Sequence, residues 1–383
     1  MTEATADVLS EDWVPLYQST YAAVSAPVEP WPHPAFQYLR GGSHGDDTAQ
    51  AFKTLEDQLF AAGNSPRAYL VENMTLFGSG FLLHNGKHFL RETRYLVVDL
   101  EPRLKRSQQN KSEASSDLYW IMAANASSNN YWHWTAQSLP AIYQSLEFLK
   151  TLGISNVGLI VPVLNTYQRE YLQLAGLGDY PVLEVRPDQT LHVRHLVYSQ
   201  LLGGGAAFLP NRFRYGVRDM VKTRAHAAQV TRSGRLYLSR QDAVRRPLLN
   251  ESDLENRLKD DGFEIVRASE LSVAEQVRLA DAAELIVAPH GAALTNGLFS
   301  NPGSVVYELG QLTYPNAGPA SLLRISGAIA VFDFFADDGL SALTAGWKVN
   351  QDTVVRTLEI IYAILHGGGV VPMPTNLPAA NKT

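Results

Sequence analysis

The sequence predicts an α/β protein of two Rossmann-like halves facing a cleft, preceded by an N-terminal β-hairpin region. Three observations carry the prediction. From about Asp117 onward, apolar runs of strand length alternate with stretches of helical periodicity, the pattern of a parallel sheet covered by helices. The alternation breaks near residues 203–230, beginning at Gly203-Gly-Gly205, and then resumes. In the second series, three strand ends (Ser239-Arg240, Ala288-Pro-His290 and Glu308-Leu-Gly310) bring polar groups to one edge. Ligands of such sheets bind beyond the carboxyl ends of the strands.

The elements follow in order. Residues 1–64 are expected to be an irregular arm, since three prolines between Val28 and Ala35 forbid regular helix there. Residues 65–210 form the first half. Its strand patterns from Ala68 to Val98 include a hairpin turn at Asn85-Gly86. A helix is expected over His133–Lys150, a buried strand at Val157–Val161, a helix at Tyr167–Ala175, and strands at Val182–Val185 and Leu191–Tyr198. Residues 211–366 form the second half, opening with a long helix from Asn211 to about Ala227. Strands are expected at Arg235–Ser239, Phe263–Val266, Glu284–Ala288 and Ser304–Glu308. Between them lie a helix at Glu251–Asp260, ended by Gly262, and one capped by Ser272 with Glu275 in capping-box spacing. A last helix spans Val354–His366, and residues 367–383 read as a disordered tail.

Composition excludes several classes. With 383 residues, 45% apolar and 18% charged, the chain is of ordinary globular make-up and long enough to bury a large core. No apolar run approaches the roughly 18 residues of a membrane span. The acidic start, MTEATADVLSEDW, is unlike a signal peptide. Without cysteine there is no thiol catalysis and no zinc-thiolate or iron–sulfur site. The net charge of −6 argues against nucleic-acid binding. Its distribution is uneven, however: ten basic residues lie between Arg212 and Arg246, opposed by Asp219 and Asp242 alone. That stretch is either a solvated helix face with a basic turn or a site for a small anion.

Four places carry candidate chemistry. The block His290-Gly-Ala-Ala-Leu-Thr-Asn296 follows a buried strand and opens a helix. Gly291, Ala292 and Ala293 let backbone N–H groups approach a phosphate, and His290 could donate to it. Arg240 and Arg245 offer forks that match phosphate oxygens. A carboxylate at Glu308 could accept from two ribose hydroxyls. His133, in Asn129-Asn-Tyr-Trp-His-Trp134, starts the first helix of the first half and would face the same cleft as a proton acceptor. Each has a plainer counterpart: a satisfied histidine in a turn, a basic surface loop, an exposed strand-end glutamate, a histidine packed between tryptophans. Walker A, G-x-G-x-x-G, His-Glu-x-x-His and Asp-x-Asp motifs are all absent. His192 and His195, three apart on a strand, face opposite sides and make a poor metal pair.

Taken in order, these residues resemble glycosyltransferase family 61. The resemblance rests on Ser239-Arg240, Arg245-Arg246 with Asn250-Glu251, Gly262-Phe-Glu, Leu271-Ser with Glu275-Gln276, the His290–Asn296 block, Pro302-Gly303 and Glu308-Leu309. Asn130-Tyr-Trp-His-Trp with Leu139-Pro140 is similar to the family's first-half signature, so the likeness runs over roughly residues 65–310. It implies a GT-B-like fold and transfer of a hexosyl or pentosyl unit, with inversion and without a divalent metal. The donor is a nucleotide sugar, taken as a UDP-sugar, and there is no further cofactor. Its site would comprise Ser239, Arg240, Arg245, His290, Gly291, Ala292, Ala293, Thr295, Asn296 and Glu308. The acceptor would be a surface or capsular glycan, and the chain cytoplasmic or peripheral to the inner membrane, with a homo-oligomer left open. Family members often carry an acid four residues after the first-half histidine; here Gln137 stands there. The base would then be His133 or Asp117. Two alternatives are a non-catalytic nucleotide-sugar or glycan-binding module and a sugar-nucleotide epimerase.

Overall fold

The computed structural model describes residues 13–15, 23–24, 37–42, 46–60, 66–97, 99–107, 109–204, 208, 210–225, 234–337 and 346–367. Sixteen strands in this set form two sheets. The strands of the first sheet are β1 (Trp13–Val14), β2 (Ala23–Val24), β4 (Ala68–Phe77), β5 (Leu82–His84), β6 (Phe89–Leu90), β7 (Asn110–Glu113), β8 (Tyr119–Met122), β9 (Val157–Pro162), β10 (Val182–Val185) and β11 (Gln189–Ser199). The second sheet holds β3 (Gln37–Arg40), β12 (Gly234–Leu238), β13 (Glu264–Val266), β14 (Ala283–Pro289), β15 (Val305–Gln311) and β16 (Ile329–Phe335).

The first sheet is mixed. Strands β11, β8, β9 and β10 are parallel neighbours, whereas β4 joins β11 antiparallel and continues into β5 and β6. The turn at Asn85-Gly86 forms as expected: Asn85 Oδ1 accepts from the N–H groups of Lys87 and His88, and Gly86 sits at φ +92°. The second sheet is parallel throughout, in the order β13-β12-β14-β15-β16-β3. Strands β15 and β16 are buried along their whole length and β14 at all but Glu284, which is why they read as largely apolar runs rather than alternating ones.

Helices among the described residues are α1 (Asp46–Leu59), α2 (Leu100–Ser107), α3 (Leu139–Thr151), α4 (Thr166–Leu174), α5 (Arg212–Arg224), α6 (Glu251–Asp260), α7 (Val273–Ala282), α8 (Gly318–Ser326) and α9 (Gln351–Leu365). The capping box at Ser272 and Glu275 starts α7, and Asn165 with Gln168 forms a second one at α4. The segment expected as one helix from His133 is composite. A turn of α-helix (Tyr131–His133) passes through a π-helical stretch (Trp134–Ser138) into α3. A wholly irregular arm over residues 1–64 is not what forms. Strand β3 adds to the second sheet, and α1 buries Ala51, Phe52, Leu55 and Leu59, with Phe52 edge-on to Phe334 at 5.0 Å. The prolines that forbid helix end at Pro34, well before this amphipathic stretch begins. The expected disordered tail lies outside the described residues apart from Gly367.

The two sheets share one continuous apolar cluster that runs from Ile121, Trp134 and Ile142 to Leu294, Phe299 and Phe332. Helices of each half pack on the other. Glu170 of α4 accepts from the N–H groups of Val273 and Ala274. The basic residues of α5 make contacts on both sides of this seam, Arg212 and Arg224 while remaining exposed. Arg218 donates to the carbonyl of Leu298, Lys222 pairs with Asp281, and Arg224 donates to the carbonyl of Gln173. No helix among the described residues is long and apolar enough to cross a membrane.

Candidate active site

Within the second sheet, strand order reverses between β12 and β14, and the crevice of an open α/β sheet lies at such a switch point. The chain leaves β12 as Ser239-Arg240 and β14 as Pro289-His290. Glu251, at the start of α6, holds the first exit: its carboxylate accepts from the Arg240 N–H at 2.7 Å and from the Tyr237 hydroxyl at 3.0 Å. Burial raises the Glu251 carboxyl above the usual carboxylate range. The Arg240 guanidinium folds over Gly291, where a Cβ would sit 1.5 Å from Nη1, and donates to the Arg245 carbonyl at 3.0 Å. Burial and the neighbouring Arg246 lower its pKa below the usual guanidinium value. Glycine at 291 is therefore required for close approach, as the sequence implied, though the group approaching it is an arginine.

His290 and Glu308 meet. The histidine Nδ1 is bonded to the Glu308 carboxylate, which is itself only 4% exposed. Glu308 is thus a buried partner of His290 rather than an open strand-end carboxylate awaiting a ribose. An ionised carboxylate only accepts, so Nδ1 carries the proton and Nε2 stays outside that bond. The His290 ring stands edge-on to Tyr314 at 5.4 Å, and the Arg246 guanidinium lies over the same tyrosine at 4.3 Å. Arg246 takes a left-handed conformation at φ +55°, and its buried Nε has no hydrogen-bond partner among the described residues. Arg245 itself is exposed.

The segment after Gly291 is a 3₁₀ helix (Ala292–Phe299) whose first bond runs from the Leu294 N–H to the Gly291 carbonyl. The N–H groups of Gly291, Ala292 and Ala293 precede that first bond. Thr295 and Asn296 point inward. Thr295 is fully buried, and Asn296 accepts from the Tyr131 hydroxyl at 2.9 Å and donates to Gln276. Ser239 is buried, and its hydroxyl accepts from the Gln241 N–H to shape the turn. These three residues hold the site together rather than line it.

On the first half, Asn130 caps the turn that carries His133 by accepting from the N–H groups of Trp132 and His133. His133 Nδ1 lies 2.7 Å from Gln137 Oε1, four residues on. Gln137 is fully buried inside the π-helical stretch, where Arg214 supports the backbone by donating from Nε to the Ala136 carbonyl. Burial pulls that arginine down to about 9. Gln137 Nε2 donates to the Gly203 carbonyl, and Oε1 accepts from Asn125 Nδ2 at 3.1 Å. The amide orientation is thereby set, so the His133 nitrogen facing Oε1 must be the protonated one. Nε2 is left as the acceptor. Burial lowers the His133 pKa below the ordinary value, only partly offset by the Gln137 bond. The ring is consequently neutral at neutral pH and suited to taking a proton.

Tyr95 joins the two halves of the site. Its ring is 5.8 Å from His133, and its hydroxyl lies close enough to Gln137 and Tyr314 for both to influence its ionisation; burial raises that pKa most. Tyr95 is thereby near both His133 and Tyr314, the ring against which His290 and Arg246 pack. Asp117 is elsewhere: exposed, it precedes β8 by two residues at the amino end, with Asn156 donating to its carbonyl. Among the described residues no three His, Asp or Glu side chains gather where a metal could be held. Sequence reasoning passed over Tyr95, Tyr314 and Arg246 as site residues, all three in loops without periodicity.

The arrangement can neutralise a diphosphate with Arg240, Arg246 and the N–H groups of 291–293, and can take a proton at His133. In comparisons with known proteins, the family model described as Glycosyltransferase 61 matches residues 131–307, a span that contains both histidine segments and the arginine turn. No curated protein matches the chain.

Proposed function

The chain belongs to glycosyltransferase family 61 through residues 131–307, and from that membership we propose an inverting, metal-independent transfer of a sugar from a nucleotide-sugar donor to a glycan. The observation that supports the reading is the chain of neighbours from the neutral, oriented His133 through Tyr95 to Tyr314, on which His290 and Arg246 of the cationic strand-end site pack. In this proposal the fold is GT-B-like, with the donor on the 211–366 half and the acceptor on the 65–210 half.

The acceptor hydroxyl donates its proton to His133 Nε2 as its oxygen bonds to the anomeric carbon. The bond from that carbon to the diphosphate oxygen breaks, and the electron pair leaves with the nucleoside diphosphate. Attack opposite the leaving group inverts the centre. Arg240 and Arg246, with the N–H groups of 291–293, face the oxygens on which charge grows. His290, held by Glu308, is placed to donate from Nε2 to the same oxygens when doubly protonated. Arginine forks supply the cationic charge that a divalent ion supplies elsewhere.

The test is a screen of nucleotide sugars, UDP-sugars first, for binding and for transfer to glycan acceptors, with and without chelator. Transfer that survives chelation supports the proposal. Donor binding without transfer to any acceptor would point instead to a non-catalytic binding module, and epimerised donor to an epimerase.

A further inference from the structure

A cavity of about 200 Å³ opens at the carboxyl edge of the first sheet, away from the arginine turn. The loops after β8, β9 and β10 form one wall, the β4–β5 turn another, and Arg103 and Arg106 of α2 a third. No acidic residue lines it. Lys105, between the two arginines, pairs with Glu101 on the same helix, whereas neither Arg103 nor Arg106 has an ion pair among the described residues. Three residues apart on one helix, they occupy one face.

The walls are held rigidly. Ser79 donates its N–H to the Ser107 hydroxyl, which donates to the Pro187 carbonyl, tying the turn, α2 and the end of β10 together. Gly80 and Phe81 both have positive φ, +109° and +53°. A bulky residue in the left-handed region is strained and persists only where its surroundings over-determine it, as at binding sites. Asn125 lines the cavity and also donates to Gln137, the residue that orients His133.

From these observations we propose that the cavity is a subsite for a sugar unit bearing an oxyanion, a carboxylate or phosphate, on the acceptor. The word acceptor rests on the transferase reading above; the anion preference does not. The two guanidinium forks, without an ion pair among the described residues, match a carboxylate or phosphate, while Asn125 and Asn129 offer partners to ring hydroxyls. The volume falls below the roughly 300–1,000 Å³ that encloses a drug-sized ligand, so it suits a single unit rather than a chain.

Ligand-observed NMR with the full chain tests this directly, using glucuronate, glucose 6-phosphate and neutral glucose as probes. Either charged sugar is expected to bind about tenfold or more tighter than glucose, and the tighter of the two identifies the group. Arg106→Ala and Arg103→Gln are each expected to weaken charged-sugar binding about tenfold, with an unchanged melting temperature showing that the variants are folded. Equal binding of glucose and both charged sugars, or full binding by both folded variants, overturns the subsite. Transfer from nucleotide sugars is scored separately: its absence overturns the transferase reading and leaves the anion preference measurable.

Discussion

Replacing Gln137 with glutamate changes one atom type at the position where the resemblance to glycosyltransferase family 61 implies an acid. The wild-type amide accepts from His133 Nδ1 at 2.7 Å, and a carboxylate would accept from the same place, so Nε2 remains the free nitrogen. What changes is charge, together with loss of the Nε2 donor to the Gly203 carbonyl. An opposite charge within about 4–6 Å moves a pKa by about 1–3 units toward the charged form, or about 1.4–4 kcal/mol. Full burial of position 137 opposes ionisation of the new carboxyl, so we take the lower end and expect His133 to rise by about one unit. The assay is kcat/KM against pH, whose acid limb reports the free enzyme's base. Wild-type His133 is held below the ordinary histidine value by burial, so its limb lies below about pH 6.5. As pH falls through that limb the imidazole gains a proton and transfer stops. In Gln137→Glu the limb should lie about one unit higher, costing about tenfold in rate at pH values below both limbs and progressively less as pH rises. Gln137→Leu leaves His133 and Asn125 without their acceptor and should slow turnover by about 10²-fold. A limb in Gln137→Glu that overlays wild type, or moves to lower pH, would refute His133 as the base.

Three further outcomes follow from the same geometry. Arg240→Ala and Arg246→Ala should each weaken UDP binding about tenfold or more by calorimetry, since a hydrogen bond to a charged group contributes about 1.5–3 kcal/mol. Gly291→Ala places a Cβ 1.5 Å from Arg240 Nη1; the guanidinium must swing away, and UDP affinity should fall comparably while the fold survives. Tyr131→Phe removes the donor to buried Asn296 and the acceptor for the Tyr171 hydroxyl. It should cost about 1–3 kcal/mol in urea denaturation, read as a lower midpoint at constant slope.

Much of the second half was legible because its strands are buried on both faces. Val287, Ala288, Val306 and Tyr307 stand in apolar runs that only a covered parallel sheet produces, and the polar residues ending those runs had to fall at one edge. Ser272 and Asn85-Gly86 announced a helix start and a turn through local chemistry alone. Strand β16 was passed over. Its apolar run is interrupted by Asp333, whose carboxylate is buried against the hydroxyls of Tyr307 and Thr357, partners distant in sequence. Helix α1 carries a readable spacing at Ala51, Phe52, Leu55 and Leu59, although it follows a stretch that three prolines bar from helix. Within the site, His133, Arg240 and His290 could be read because strand ends point to them. The pairing of His290 with Glu308, the cation over Tyr314 and the bridge through Tyr95 depend on loop conformations, including a left-handed Arg246, that no periodicity encodes. The basic stretch from Arg212 to Arg246 divides in the same way. Its helical members tie the halves together, and Arg240, Arg245 and Arg246 belong to the crevice turn.

The central claim is that His133 takes the acceptor proton while a cationic, metal-independent site releases the nucleoside diphosphate. The most direct measurement is transfer from a nucleotide sugar in the presence of chelator, with product anomer assigned by NMR, for wild type and His133→Ala. The account predicts chelator-resistant transfer with an inverted anomeric centre. It also predicts that His133→Ala still binds UDP yet turns over about 10²–10⁴-fold more slowly. Retained configuration, loss of transfer on chelation, or full-speed turnover by His133→Ala would contradict it.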